Sequence, residues 1–287
     1  MKERAILFGA HGGLIGIVTQ PTNELPGTRR GVVLSNVGMH NRIGPFRIWV
    51  ELARKLADEG FYVLRFDLSG RGDSAPRPGT VSDQELVELD TEEAMSWLAD
   101  KLRVEEFVLI GLCSGVAAAH ALSVKDARVR LAVFIDGYTY RTAGFYVRRH
   151  LFRYLQLERW ARYFKYWGYR LGRGKSQIEN SPLPAPRYYS GVNPSPAQFR
   201  ADIERMIKRG AHLLFIYTGE VQESFNGASQ LFEMLGRGFP RKGITLDHRV
   251  DADHLFSSVT QREALINRLC EWMTSANSQE GSVYSGS

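Results

Sequence analysis

Apolar residues along this chain fall into two alternating patterns. Between polar segments stand short continuous apolar runs that are typical of buried strands, at 31–35, 61–66, 107–110, 131–135 and 213–217. Other segments repeat apolar residues at the spacing of a helix face, as do Phe46, Trp49, Leu52 and Leu56. Strands that alternate with helices predict an α/β fold with a mostly parallel sheet and helices on both of its faces.

Three stretches depart from this alternation. Residues 3–20 read as a β-hairpin around a glycine-containing turn at 11–13, which adds antiparallel strands at one edge of the sheet. Residues 137–210 interrupt the rhythm, and the C-terminal end is polar and rich in glycine and serine. We therefore predict a core made of 1–136 and 211–276, an insertion at 137–210, and a flexible tail at 277–287.

The apolar run 107–110 enters a sharp turn with the sequence Gly111-Leu112-Cys113-Ser114-Gly115, and a helix of small residues follows it. A turn of this kind holds its central residue in strained backbone geometry and raises that side chain above the sheet edge. Glycines on either side let the strand and the helix pass closely. The segment resembles the nucleophile elbow of the α/β-hydrolase superfamily, with Cys113 where that family normally has serine.

The resemblance covers about residues 1–275 and implies a nucleophile, an acid and a histidine in that chain order. Cys113 is the predicted nucleophile, and its place at a helix N-terminus favours the thiolate form. His254 follows the last predicted strand and precedes the last helix, where the superfamily has its catalytic histidine. The structural alternatives are a small buried cysteine and a histidine on a surface loop.

The acid of this triad is ambiguous. The superfamily commonly has it shortly after the strand before the last, and the corresponding position here is occupied by Gln222. We favour the neighbouring Glu223 slightly over Asp136, which ends the strand after the elbow, and Glu220 is a further alternative. A thiolate–imidazolium pair depends less on the acid than a serine hydroxyl does.

An oxyanion hole is expected beside Cys113. The backbone N–H groups of Ser114 and of Val37, in the loop after strand 31–35, are the predicted donors. His40 lies in the same loop and is a candidate for substrate contact. Arg42 is a candidate clamp for a substrate carboxylate or phosphate, and an arginine that stabilises its own loop is an equal alternative.

A narrower resemblance covers mainly residues 31–74 and the elbow. These residues are similar to the exosortase-associated α/β-hydrolases, bacterial proteins linked to loci for exopolysaccharide or surface products. The resemblance implies a bacterial biosynthetic enzyme that acts on a small molecule or an acyl group. It is carried by Asn36-Val37-Gly38, Arg42-Ile43-Gly44-Pro45, Leu52-Ala53-Arg54, Leu64-Arg65-Phe66-Asp67, Gly70 and Gly72-Asp73-Ser74.

The insertion is the expected lid over the elbow, and its residues 141–175 are rich in arginine and aromatic side chains. Its basic face suits an acidic acyl carrier protein or an anionic membrane surface, and a solvated helical face is the alternative. The formal net charge of +6 agrees with acidic partners. No nucleic-acid-binding module accompanies this charge, so nucleic acid is not an expected partner.

Several classes of protein are disfavoured by what the sequence lacks. It has no apolar run of the ~20 residues that a membrane span needs and no secretion signal, so a cytoplasmic location is expected. Its only cysteines are Cys113 and Cys270, and they lie in different predicted elements, which argues against a disulfide. No group of residues has metal-ligand spacing, and neither a metal nor another cofactor is expected.

Together these features predict an acyl-transferring enzyme with a Cys-His-acid triad. A thioesterase, another hydrolase or an acyltransferase would each proceed through an acyl-cysteine intermediate on a small-molecule acyl thioester or ester. Because Gln222 stands at the expected acid position, a non-catalytic binding protein of the same fold is an alternative. A lyase or isomerase that uses His254 as a base is another.

Overall fold

The computed structural model describes residues 1–23, 27–35, 38, 40–155 and 193–281, with backbone alone for 151–155 and 277–281. In this part of the chain eight strands form one sheet, in the order β1-β2-β4-β3-β5-β6-β7-β8. β1 and β2 form the antiparallel hairpin at one edge, β2 pairs antiparallel with β4, and the remaining neighbours are parallel. The predicted α/β-hydrolase architecture is confirmed. The strands are Lys2–Phe8 (β1), Leu14–Gln20 (β2), Arg30–Leu34 (β3), Tyr62–Phe66 (β4), Glu106–Leu112 (β5), Val129–Ile135 (β6), His212–Thr218 (β7) and Ile244–Arg249 (β8).

Helices cover both faces of the sheet, and each face has its own apolar core. On one face Trp49 and Leu52 pack in a cluster with Leu269, and on the other Met95 and Ala119 pack in a cluster with Phe199. This arrangement agrees with strands that are apolar on both sides. The described helices are Ile48–Asp58 (α1), Asp83–Leu102 (α2), Gly115–Lys125 (α3), Ala143–Leu155 (α4), Pro196–Lys208 (α5), Gln230–Leu235 (α6) and Val259–Gly281 (α7).

The predicted insertion contains two described helices, α4 at its start and α5 at its end. Phe199, Ile203 and Met206 of α5 are buried in the core, so α5 packs as part of the helical layer on the sheet. Residues 156–192, which carry most of the predicted basic and aromatic lid surface, lie outside the described residues. At the other end α7 continues to Gly281, within the predicted tail, and 282–287 lie outside the described residues.

Residues 75–87 are polar and rich in proline and predict a loop, with Asp90 or Thr91 as the cap of the helix that follows, and the start of α2 differs from this prediction. The helix begins at Asp83, and the side chain of its cap, Ser82, accepts a hydrogen bond from the N–H of Glu85. Asp90 is buried inside the helix and accepts hydrogen bonds from the N–H and the hydroxyl of Ser69, at 2.6 and 2.8 Å. The prediction was wrong because the partners of this buried carboxylate are Ser69 and Arg77, in the segment between β4 and α2, and not the backbone N–H groups of a helix end.

The elbow between β5 and α3 has the predicted geometry. Cys113 has a φ of +54°, a left-handed conformation that is costly for a residue with a Cβ. A Cβ on Gly111 would lie 2.6 Å from the carbonyl oxygen of Gly115 and 2.7 Å from the Cα of Val116. The backbones of strand and helix therefore approach so closely that only glycine fits at position 111.

We expect Gly111→Ala to lower the free energy of unfolding by about 2 kcal/mol, because the added methyl group meets main-chain atoms that cannot rotate away. Urea unfolding followed by circular dichroism measures the loss. Gly13→Ala is the matched control, since the nearest atoms to a Cβ there are the Cβ of Ala75, at 3.3 Å, and the carbonyl oxygen of Ala75, at 3.9 Å. Equal urea midpoints for the Gly111 variant and the wild type would contradict the close approach.

Candidate active site

The carboxyl ends of three parallel strands bring Cys113, Asp136 and His254 together. Cys113 follows β5, Asp136 follows β6, and His254 lies in the loop between β8 and α7. The Nδ1 atom of His254 lies 2.8 Å from Oδ2 of Asp136, and the Cys113 side chain is among the groups that raise the pKa of the same imidazole. Cys113 is partly exposed, so its thiol is accessible from solvent. The thiol, the imidazole and the carboxylate thus meet at one edge of the sheet, an arrangement that resembles a nucleophilic triad.

The carboxylate of Asp136 is fully buried and fully engaged. Its Oδ1 accepts the N–H of Thr218 at 2.7 Å, and its Oδ2 accepts the Thr218 hydroxyl at 2.7 Å in addition to facing His254. The backbone of Asp136 is left-handed, with a φ of +48°. A strained residue that holds a buried charge against fixed partners is typical of a functional site. Thr218, at the end of β7, thus orients the carboxylate that meets the imidazole.

The pKa of His254 is raised to about 10, chiefly by the hydrogen bond to Asp136 and next by the hydrogen bond to Cys113, while burial acts in the opposite direction. At neutral pH the imidazole is therefore protonated in the resting enzyme. A positively charged imidazolium beside the thiol stabilises a thiolate through charge attraction and hydrogen bonding. The structure therefore has a positively charged imidazolium beside the thiol of Cys113.

The loop that carries His254 is fixed by the segment after β7. The N–H of His254 donates to Oε2 of Glu220 at 3.1 Å, and the N–H of Gly219 donates to the carbonyl of Ala252 at 3.0 Å. A Cβ on Gly219 would lie 2.1 Å from the carbonyl oxygen of Val250, so the two loops touch through their backbones. Glu220, an alternative acid in the sequence analysis, contacts the main chain of His254 and holds the histidine loop in place.

Glu223, the first choice for the acid, does not lie against the imidazole. Its side chain is 81% exposed and pairs with Arg149 at 2.8 Å. The residues after β7 form a short 3-10 helix, Gly219–Glu223, which turns the end of this segment toward solvent. The structure thus brings the second choice, Asp136, to His254. The signals for it in the sequence were the glutamine at 222 and an aspartate directly at the end of a buried strand.

The predicted oxyanion residues lie partly within the described chain. Ser114 is the N-cap residue of α3 and directly follows Cys113, and its hydroxyl accepts the N–H of Gly38 at 2.7 Å. Val37 lies outside the described residues. His40 is exposed. Its role in substrate contact stays a prediction.

Arg42 forms ion pairs and a hydrogen bond with two aspartates that follow β4. Its guanidinium pairs with Asp73 at 2.7 Å and also with Asp67. Its backbone N–H donates to Oδ1 of Asp67 at 2.6 Å. These contacts match the loop-stabilising alternative, while a substrate clamp at Arg42 stays a prediction.

The described residues also bear on metal binding and on membrane insertion. Within them, no three or more metal-ligating side chains are grouped closely enough to hold an ion. None of their helices combines the length and the apolar character that a membrane crossing needs.

Comparisons with known proteins agree with this architecture. A family model described as the alpha/beta hydrolase family matches residues 39–267. No curated protein gives a significant sequence match.

Similar solved structures include an esterase of Pyrococcus furiosus, at 19% identity and a TM-score of 0.57, covering 95% of this chain and 89% of that one. A serine hydrolase without a lid from Xanthomonas campestris has 17% identity and a TM-score of 0.51, with 95% of each chain covered. A hypothetical protein from Pseudomonas aeruginosa has 18% identity and a TM-score of 0.57, covering 96% of this chain and 94% of that one. At these identities the structures show the shared fold alone. Because the family model spans well over half of the sequence, this chain belongs to the alpha/beta hydrolase family, which confirms the prediction of an α/β-hydrolase-type enzyme.

Proposed function

We propose that the protein is an acyl-transferring enzyme that works through an acyl-cysteine intermediate on Cys113. The observation that carries the proposal is the 2.8 Å contact between His254 and Asp136, together with the raised pKa of the imidazole, to which Asp136 and Cys113 both contribute. In this scheme Cys113 is the nucleophile, His254 the acid and base, and Asp136 the group that orients the imidazole and stabilises its charge.

The reaction has two halves. The thiolate of Cys113 attacks the carbonyl carbon of an ester or thioester, a C–S bond forms, and the leaving alkoxide or thiolate takes the proton of the His254 imidazolium. The neutral imidazole then takes a proton from water or from an acceptor alcohol or amine, which attacks the acyl-cysteine carbonyl. The C–S bond breaks, the acyl group leaves on the acceptor, and the proton held by His254 restores the imidazolium beside the thiolate.

The oxyanion that forms in each half needs hydrogen-bond donors. The N–H of Ser114 follows the nucleophile directly, at the first turn of α3, where the helix end also favours negative charge. We assign the second donor to Val37, which immediately precedes Gly38 in the loop after β3. A donor on each side of the carbonyl oxygen is the usual arrangement for acyl transfer.

A cysteine nucleophile favours a thioester substrate. Exchange of an acyl group from a substrate thioester onto Cys113 replaces one thioester by another, so this half-reaction is nearly balanced in free energy. We therefore propose an acyl thioester as the first choice of substrate and an ester as the second. Hydrolysis and acyl transfer share the same first half-reaction, the acylation of Cys113. An acidic acyl carrier protein that docks on the basic insertion is the partner we propose for delivery, in keeping with the resemblance to bacterial biosynthetic hydrolases.

Intact-mass spectrometry after mixing the protein with a panel of acyl thioesters and activated esters tests the proposal. We expect an adduct of the acyl mass on the wild type and none on Cys113→Ala, because this variant lacks the sulfur atom to which the acyl group would be attached. Cys270→Ala is the matched control, since the sulfur of Cys270 is buried in the core beneath α7, and this variant should acylate like the wild type.

Two results would contradict the proposal. One is the absence of an adduct across the whole panel, and the other is an adduct that persists on Cys113→Ala.

The alternative of a non-catalytic binding protein was motivated by Gln222, and Asp136 supplies the carboxylate that Gln222 lacks. The alternative of a lyase or isomerase predicts full turnover by Cys113→Ala, with His254 acting as a base without a covalent intermediate.

A further inference from the structure

The loop that follows β3 is tied to the elbow by the side chain of Ser114. The hydroxyl of Ser114 accepts the N–H of Gly38 at 2.7 Å, and the carbonyl of Gly38 accepts a hydrogen bond from the guanidinium of Arg71. Gly38 itself has a φ of +51°, which glycine adopts without the cost that a side chain would bring. Both polar groups of this glycine are therefore held by side chains from other parts of the chain.

A second anchor lies a few residues further along the same loop. Asp67, buried at the end of β4, accepts the N–H groups of Arg42 and of Asp73 at 2.6 and 3.0 Å. A Cβ on Gly72 would lie 2.3 Å from Oδ2 of Asp67, so the loop after β4 is packed directly against this carboxylate. This anchor fixes the loop to β4. Among the hydrogen bonds of the described residues 38 and 40–44, the bond from the N–H of Gly38 to Ser114 is the one that reaches the elbow.

The position of this bond matters because of what it joins. Ser114 directly follows Cys113, and its backbone N–H is one proposed oxyanion donor, while Gly38 directly follows Val37, the other. The N–H of Gly38 is itself occupied by the Ser114 hydroxyl, which leaves the second donor to a neighbouring residue of the loop. Ser114 thus provides one proposed donor from its backbone, and its side chain binds the residue that follows the other proposed donor.

We propose that Ser114 is a positioning residue whose hydroxyl fixes the loop after β3 relative to Cys113. The inference rests on the proposed function, because the loop needs to be held only if it stabilises an oxyanion. Donors that are fixed before the reaction stabilise the transition state without a cost of reorganisation. Loss of the hydroxyl lets the loop move and lowers transition-state stabilisation, while binding of the ground-state substrate changes little.

The kinetic test compares Ser114→Ala with Ser114→Thr on an ester or thioester that acylates the wild type. We expect kcat of Ser114→Ala to fall about 10- to 100-fold with KM within about twofold, less than the loss of an oxyanion donor itself. Ser114→Thr keeps a hydroxyl and should recover most of the activity. Ser123→Ala is the matched control on the same helix, because the buried Ser123 hydroxyl has no hydrogen-bond partner among the described residues, and its kcat should equal that of the wild type.

Hydrogen–deuterium exchange of residues 35–44 in the unliganded protein gives a readout that does not need catalysis. We expect exchange in this segment to rise in Ser114→Ala and to stay at the wild-type level in Ser114→Thr and Ser123→Ala. If the wild type forms no acyl-cysteine, the proposed function fails while the exchange experiment still decides whether the bond holds the loop.

Unchanged exchange in Ser114→Ala would overturn the positioning role. So would an unchanged kcat in an enzyme that acylates, a loss confined to KM, or a loss in Ser114→Thr as large as in Ser114→Ala. Each of these results would show that the hydroxyl does not organise the loop for the transition state.

Discussion

Cys113→Ala is expected to lose about 10⁴-fold or more in kcat/KM on any substrate that acylates the wild type, because the reaction loses its nucleophile. The remaining groups, His254 and the oxyanion donors, can only assist direct attack by water on the bound carbonyl. Steady-state hydrolysis of the most reactive ester or thioester from the mass-spectrometry panel measures the effect. The fold should be preserved, since the cysteine is partly exposed at the turn and alanine is smaller.

The control for this prediction is again the second cysteine. Cys270→Ala should keep kcat/KM within about twofold, since a buried sulfur far along the chain takes no part in the reaction, even if the small cavity lowers stability. Turnover by Cys113→Ala within tenfold of the wild type would contradict covalent catalysis. It would point to His254 as a base that acts without an acyl-enzyme.

Asp136→Asn is expected to reduce kcat by about 10²- to 10³-fold, while Glu223→Gln leaves it within about twofold. Asparagine keeps the shape of Asp136 but removes the charge that faces Nδ1 of His254. The loss should be smaller than the ~10⁴-fold loss for the same change in a serine triad, because a thiolate is a stronger nucleophile than a hydroxyl. Glu223 is exposed and paired with Arg149, so its charge has no direct contact with the imidazole. A larger loss of kcat in Glu223→Gln than in Asp136→Asn would show that Glu223 is the acid of the triad.

The same variant changes how the thiol responds to pH. In the wild type the pKa of His254 is raised to about 10, first of all by the hydrogen bond to Asp136, so the imidazolium persists through the neutral range and supports the thiolate. Without the carboxylate the imidazolium loses its proton at lower pH, and the thiolate loses its positively charged partner. Alkylation of Cys113 by iodoacetamide at pH 6 to 7 should therefore slow in Asp136→Asn, because the positive charge beside the thiol is lost. Identical rate–pH profiles for the two proteins would show that Asp136 does not support the ion pair.

The sequence predicted those parts of the site that depend on local pattern. The strained turn at Cys113 needs an apolar strand before it, glycines at 111 and 115, and a helix of small residues after it, and all of these are neighbours in the chain. His254 was predictable because the loop between the last strand and the last helix opens at the edge of the sheet where the elbow lies. The alternation of apolar runs fixed the order of the elements in the same way.

The partners of these two residues depend on contacts between segments far apart in the chain. Asp136 and His254 are brought together by the pairing of β6 with β7 and of β7 with β8, and Thr218 on the middle strand holds the carboxylate. A linear pattern cannot rank Asp136 above Glu223, because both follow strands that end at the same edge.

By itself, then, the sequence predicted the α/β architecture from the alternation of apolar runs, and it predicted the elbow with its cysteine and the histidine loop from their resemblance to the α/β-hydrolase superfamily. Only the tertiary structure decided which carboxylate meets the imidazole, where α2 begins around the buried Asp90, and that the hydroxyl of Ser114 holds Gly38. The physical reason is common to the three cases. A buried polar group must find a hydrogen-bond partner, and which partner is within reach depends on how distant strands and loops pack.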